Sequence, residues 1–171
     1  MDKYYTQIIR VPVLTDTFQR VGQVYDVIFN TDTGKVIALS IAPGGHKVIT
    51  PIDIIAWDKA IIIGDADDVS DVEDIYQLQQ MPKRKCRNNK KKVITKDGEY
   101  LGRVIDFAVH NKLFCLTKIV VAKNILSLFF YRKRLINSQD IIEIRQDAII
   151  VKNPLGLIPL KKLCVDASPS S

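Results

Sequence analysis

The sequence is poor in the residues on which most enzymes and metal sites depend. It has two histidines, His46 and His110, which lie 64 residues apart, and no motif couples a nucleophile to a base. Its three cysteines, Cys86, Cys115 and Cys164, are odd in number and widely spaced, which argues against a disulfide framework and against a zinc site. We therefore expect a protein that is not an enzyme and that uses no metal or other cofactor.

Long apolar stretches are missing as well. No apolar run approaches the about 20 residues that a membrane-spanning helix needs, and residues 1–5 do not begin a secretory signal, because no apolar segment follows a basic start. We therefore expect a cytoplasmic protein, with attachment to the surface of a membrane as an alternative. Apolar residues make up 47% of the chain, which is too high a fraction for a disordered protein.

Charge is divided unevenly along the chain. Residues 1–80 hold 6 Lys+Arg and 12 Asp+Glu, a net charge of −6, whereas residues 81–171 hold 19 and 7, a net charge of +12. Halves of opposite charge attract each other within one molecule or between two copies, so self-association is one expectation. Binding of an acidic partner to the basic half alone is another.

Much of the positive charge lies in residues 83–92, KRKCRNNKKK, where seven of ten residues are basic and none is acidic. Three interpretations stay open: a flexible linker, a contact for the phosphates of RNA or the ribosome, and a contact for an anionic membrane. At most about seven phosphates would be engaged, so the log–log salt slope should not exceed ~6 on duplex DNA. With three bases farther along, the candidate polyanion-binding residues are Lys83, Arg84, Lys85, Arg87, Lys90, Lys91, Lys92, Arg132, Lys133 and Arg134.

Residues 65–74 form an acidic run that contains Asp65, Asp67, Asp68, Asp71, Glu73 and Asp74. The run lacks the alternating acids, the glycine and the final glutamate of an EF-hand loop, so we do not expect a calcium site. A solvated linker is expected instead, or the start of a short helix that ends near Pro82, because acidic residues favour helix N-termini.

One short pattern occurs twice, 80 residues apart. Residues 21–29 are VGQVYDVIF, and residues 101–109 are LGRVIDFAV. A second block, ITPIDII at 49–55, is similar to INSQDII at 136–142, and AIII at 60–63 is similar to AIIV at 148–151. The same blocks in the same order indicate two copies of one unit.

Two residue types in the repeated strand predict specific local structure. Gly22 and its counterpart Gly102 favour a bulge or a close approach of two backbones. Asp26 and its counterpart Asp106 are flanked by apolar residues. We expect each carboxylate to accept hydrogen bonds from the backbone amides of an adjacent turn, because no second acid, histidine or nucleophile accompanies it as a catalytic acid would need.

Each unit resembles the PRC-barrel domain, a small β-barrel found in the H subunit of the photosynthetic reaction centre and in the C-terminal half of a ribosome maturation factor. The resemblance rests on Gly-x-Val-x-Asp in the repeated strand, on the turn and return strand at 30–39, and on Pro-x-Asp-Ile-Ile followed by Ala-Ile-Ile-Ile. It covers roughly residues 11–64 and 92–153, although the second copy has Ser138 where the first has Pro51. The structural residues of the pattern are Gly22, Asp26, Asp53, Gly102, Asp106 and Asp140.

The expected fold is therefore mostly β, with two tandem small PRC-like β-barrels joined by a linker that is first acidic and helical and then basic. The expected boundaries are 1–64 for the first barrel, 65–91 for the linker, 92–153 for the second barrel and 154–171 for a C-terminal tail. Each barrel is expected to fold around its own core. In the first, residues 3–13 are expected to form a leading strand and Trp57 to lie in the core.

Because family members mostly serve as docking or assembly domains, the resemblance implies a non-enzymatic module that binds a protein partner. An RNA- or ribosome-associated processing factor that uses the basic linker is one alternative. An adaptor attached to the surface of a membrane is another.

Overall fold

A computed structural model describes residues 1–79, 91–125, 130–145 and 147–153. Strands dominate these residues, which confirms a mostly β fold. Residues 1–79 contain β1 (Asp2–Tyr4), β2 (Pro12–Thr15), β3 (Arg20–Gln23), β4 (Asp26–Phe29), β5 (Val36–Ser40), β6 (Lys47–Ile49), β7 (Ile54–Trp57), β8 (Ile61–Ile63) and β9 (Ser70–Asp71). The later residues contain β10 (Lys92–Thr95), β11 (Tyr100–His110), β12 (Cys115–Ile125), β13 (Phe130–Asn137), β14 (Ile141–Ile144) and β15 (Ala148–Val151).

Helical segments in the described residues are short. The α-helices are α1 (Tyr5–Ile8) and α2 (Tyr76–Gln79), and 3₁₀ turns occur at Pro43–Gly45, Pro51–Asp53, Ala66–Asp68, Val72–Asp74 and Ser138–Asp140. Within the same residues, no helix has the length and apolar character needed to cross a membrane.

The two copies have the same strand order. In the second half the order is β14-β15-β10-β11-β12-β13, and in the first it is β7-β8-β2-β3 followed by β4-β5-β6-β9, where β3 and β4 together take the place of β11. The parallel pairs also agree, because Val13 of β2 lies opposite Ile61 and Val93 of β10 lies opposite Ile149. The two predicted copies are thus confirmed down to the register of their parallel strands.

The repeated strand is continuous only in the second copy. There β11 runs unbroken over 11 residues, with an irregularity in its pairing between Val104 and Asp106. In the first copy the predicted strand 21–29 is interrupted between β3 and β4. At this point Val24 bonds to the residues that lead into β2. The amide of Arg10 donates to Val24 O, and the amide of Val24 donates to Val11 O. The second copy makes the equivalent bond, from the amide of Val104 to Lys91 O, within an unbroken strand, so this bond alone does not divide the first copy's strand.

The N-terminal segment belongs to the second half's sheet. β1 pairs antiparallel with β11, with Lys3 opposite Val109, and α1 follows it immediately. The expectation of one leading strand over residues 3–13 was therefore wrong, because α1 interrupts the range: its first residues pair with β11 across the molecule, and its last two belong to β2. The N-terminal segment thereby ties the first copy to the second.

The two halves share one apolar core. The ring of Phe29 meets the ring of Phe107 edge-on with centroids 5.1 Å apart, and the ring of Tyr5 lies 4.8 Å from Phe107. The buried residues of both halves form a single cluster. The expectation of two separate cores was therefore wrong. Each unit is small and buries little apolar surface alone, so joining the cores increases the burial available to both.

The hairpin tips of the two halves also join through their backbones. Val36 donates to Phe114 O at 2.7 Å, and Leu116 donates to Gly34 O at 2.8 Å. Trp57 is 7% exposed and its ring stacks on Phe114 at 5.8 Å, which confirms its predicted place in the core.

The acidic run after residue 64 forms turns and an edge strand. Asp65 accepts a hydrogen bond from the amide of Asp67, and Asp68 accepts from the amide of Gly64. β9 pairs with β6, so the first copy's sheet extends past residue 64. The following helix α2 has only 4 residues. The expected domain boundaries stay a prediction.

An ion pair between Asp2 of β1 and Lys118 of β12 gives a testable pH dependence. The atoms lie 2.6 Å apart, and the hydrogen bond from Lys118 lowers the pKa of Asp2. A lowered carboxyl pKa stabilises the fold at pH values above the ordinary Asp pKa of about 4, and this stability is lost as pH falls through the lowered value. We expect Asp2→Asn to cost up to about 1 kcal/mol at neutral pH and less below about pH 4.

Unfolding free energies of the wild type and Asp2→Asn, measured by denaturant titration at neutral and acidic pH, test this expectation. Asp16→Asn is the control, because Asp16 lies in an exposed turn. A constant difference between wild type and Asp2→Asn at all pH values would contradict it.

Candidate functional site

The two aspartates of the repeated strand anchor the N-terminal segment. Asp26 accepts from the amide of Val27 at 2.9 Å and from the Tyr5 hydroxyl at 3.2 Å. Asp106 accepts from the amide of the next residue at 2.8 Å and from the Thr6 hydroxyl at 2.8 Å. Each of these amides belongs to the same strand as its aspartate, whereas the sequence had suggested amides from an adjacent turn. Neighbouring residues of α1 therefore reach one aspartate in each copy.

The two glycines of the repeated strand allow close backbone contact, as predicted. A β-carbon on Gly22 would lie 2.7 Å from Ile41 O. On Gly102, which has φ +133°, it would lie 2.6 Å from the carbonyl carbon of Ala122, and closer still to its oxygen. The strand pairing is irregular beside both glycines. These residues therefore permit the neighbouring backbone to approach closely at an irregular point of each copy's strand pairing.

Asp53 and Asp140 occupy matching 3₁₀ turns but act differently. Asp53 Oδ2 accepts from the amide and the hydroxyl of Thr50, both at 2.7 Å, and so closes its turn. In the second copy Asn137 takes the place of Thr50 and makes no side-chain cap. Asp140 instead accepts from the amide of Lys152 through its backbone oxygen at 2.8 Å.

The turn closed by Asp53 presents an apolar surface. Ile52 is 91% exposed and Ile55, at an irregular position in β7, is 66% exposed. The Asp58 carboxylate, which is exposed and pairs with Lys3 at 3.2 Å, lies just beyond β7. We refer to Ile52 and Ile55 as the isoleucine surface. The sequence analysis did not single out these two residues, because isoleucine is among the residue types most often buried.

Half of the predicted polyanion-binding residues are described. Lys91 donates to Arg145 O at 2.9 Å, Lys92 and Lys133 are exposed, and Arg134 is half-buried. The backbone of Arg132 lies in β13 opposite Lys123. Lys83, Arg84, Lys85, Arg87 and Lys90 lie outside the described residues.

The structure aligns two of these bases with an arginine that sequence reasoning missed. Lys92 lies opposite Arg103, Arg103 lies opposite Ala122, and Ala122 lies opposite Lys133. We call Lys92, Arg103 and Lys133 the basic row; all three are exposed. The signal was present in the sequence as an arginine inside the repeated strand, but only the strand register places it beside the two lysines.

The described residues contain no group of three or more His, Cys, Asp or Glu side chains placed to hold a metal ion. His110 Nδ1 accepts hydrogen bonds from the amides of Lys112 and Leu113 at 3.3 and 3.1 Å in the hairpin turn, and its Nε2 lies 3.1 Å from the N-terminal nitrogen of Met1.

A family model described as "PRC-barrel domain" matches residues 1–85 and 89–158, which together cover most of the chain in two segments. No curated protein matches the chain. The two matched segments correspond to the two copies whose strand order and register agree.

Proposed function

Because the chain belongs to the PRC-barrel domain family, we propose that it is a non-enzymatic module that binds a protein partner through the isoleucine surface. The observation that carries the proposal is the hydrogen-bonded turn at Pro51–Asp53. Two hydrogen bonds to Asp53 hold this turn, while its central side chain, Ile52, is almost fully exposed. Because the turn that carries Ile52 is already closed, its backbone loses little conformational entropy when a partner covers this side chain.

The partner's chemistry follows from the surroundings. Asp53 and Asp58 lie on either side of Ile55 in sequence, and the first 80 residues carry a net charge of −6. A protein that presents an apolar side chain with lysine or arginine around it would match both features, with the apolar contact supplying affinity and the charges supplying orientation.

The second copy provides a matched control. Its Ile142, equivalent to Ile55, is 53% exposed, but Gln139 stands where the first copy has Ile52. Replacing both isoleucines of the isoleucine surface by serine should weaken partner binding at least tenfold, since burying an isoleucine contributes about 1.5–3 kcal/mol. Ile142→Ser should leave binding unchanged.

Quantitative affinity capture from native extract, treated with nuclease and repeated at high salt, tests this proposal. Wild type and Ile142→Ser should retain the same protein, and the double serine variant should lose it while keeping its melting temperature. Equal capture by all three proteins would contradict the proposal, as would capture that nuclease abolishes.

A further inference from the structure

The basic row crosses the sheet of the second half on one face. Residues directly opposite each other in neighbouring strands point to the same side, so Lys92, Arg103 and Lys133 share one face of β10, β11 and β13. Between the last two lies Ala122 of β12, whose side chain is 9% exposed. With neighbouring strands about 4.8 Å apart, the row extends about 14 Å.

The like charges in this row oppose folding. Lys92 and Arg103 are direct cross-strand neighbours, and like charges in that position destabilise a sheet. The first copy shows that the fold does not require them, because the same cross-strand position holds Pro12 opposite Gln23. The adjacent cations are therefore particular to the second copy, where a bound anion would contact both.

An aromatic ring lies on the same face. Tyr100 is the cross-strand partner of Ile94, which is two residues from Lys92 and therefore points to the same side. The ring is 39% exposed, and Lys123 Nζ lies 5.7 Å from its centroid. An exposed ring beside a line of cations can stack a base while the cations contact phosphates.

We propose that the basic row and Tyr100 bind single-stranded nucleic acid, with the three cations on successive phosphates and the tyrosine under a base. This site does not include the residues of the isoleucine surface or residues 83–90. An anionic membrane would be attracted by the same charges, but base stacking gives Tyr100 a specific role, so nucleic acid accounts for both features of the face.

Fluorescence anisotropy of the full-length protein with a labelled 20-nucleotide oligouridine and with the equivalent oligothymidine tests the proposal. The variant K92Q/R103Q/K133Q should have a log–log salt slope smaller by about 2, since each phosphate contact on a single strand contributes about 0.7. From about 50 to about 200 mM salt the wild type should then lose about twenty times more affinity than the variant. Tyr100→Ser should weaken binding about tenfold without changing the slope.

Two further variants separate this site from general attraction. K59Q/K96Q/K112Q removes the same charge from exposed positions outside the row and should bind like the wild type. In a second variant, glutamine replaces Lys83, Arg84, Lys85, Arg87 and Lys90. Adding Tyr100→Ser to this variant should still weaken its binding to the oligonucleotides. The proposal is overturned if K92Q/R103Q/K133Q binds the oligonucleotides like the charge-matched control, or if the wild type does not bind them at low salt. It is also overturned if K92Q/R103Q/K133Q loses binding only to vesicles that contain phosphatidylserine.

Discussion

Gly102→Ala is expected to destabilise the protein by about 4 kcal/mol. Its new β-carbon would lie 2.6 Å from the carbonyl carbon of Ala122 and 2.9 Å from the amide nitrogen of Lys123, both backbone atoms. Overpacking of this kind costs about 1–3 kcal/mol. The φ of +133° adds backbone strain of about 1–3 kcal/mol for any residue with a side chain. Denaturant titration measures the sum.

Two other glycines separate these contributions. Gly98 has φ +89°, but a β-carbon added there would meet nothing within 4 Å, so Gly98→Ala should cost only about 1–2 kcal/mol of strain. Gly22 meets Ile41 O at 2.7 Å without a positive φ, so Gly22→Ala should show the steric cost of about 1–3 kcal/mol. Equal losses for Gly102→Ala and Gly98→Ala would show that strand β12 moves away and that the close approach is not required.

The glycines illustrate what the sequence predicts well. A glycine at the same place in two copies of a strand indicates a local steric requirement, and the structure confirms this requirement at Gly22 and Gly102. The turn that precedes each of these glycines also contains a residue with positive φ, but only one of the two copies has glycine at that position. The position with positive φ is Gly98 in the second copy and Phe18 in the first, so the first copy tolerates strain that the second avoids.

Pairing across the molecule was not predictable from local pattern. Residues 2–4 carry no signal that distinguishes pairing with β11 from pairing within their own copy, because the choice depends on which strand edge is open. The contacts of Tyr5 with Asp26 and of Thr6 with Asp106 follow from that pairing. The sequence therefore predicted that the aspartates were structural but not what they hold.

The candidate surfaces show the same limit. The charged cluster at residues 83–92 is conspicuous in sequence, whereas the basic row needs the register of four strands to bring its members together. The isoleucine surface is apolar by composition, and only the closed Pro51–Asp53 turn reveals that Ile52 points to solvent. Burial and cross-strand position are decided by tertiary packing, which propensity does not report.

Phe107→Ala is expected to cost about 3–5 kcal/mol, the loss typical of removing a buried aromatic ring. Phe107 is 2% exposed and lies in the second half, yet its ring contacts Phe29 at 5.1 Å and Tyr5 at 4.8 Å from the first. The cavity would therefore open where the two copies share their core. Trp57, the single tryptophan, lies in the first copy with its ring stacked on Phe114 of the second, so its fluorescence reports unfolding of the first copy or loss of this contact.

If the shared core makes the halves cooperative, Phe107→Ala should lower the denaturant midpoint seen by Trp57 fluorescence as much as the midpoint seen by circular dichroism. Phe18→Ala is the control, because Phe18 is 77% exposed and its removal should change stability by no more than about 0.5 kcal/mol. A dichroism curve with two transitions, the second of them at the wild-type midpoint, would mean that the halves unfold independently. The continuous core would then be a contact between two stable domains rather than the source of their stability.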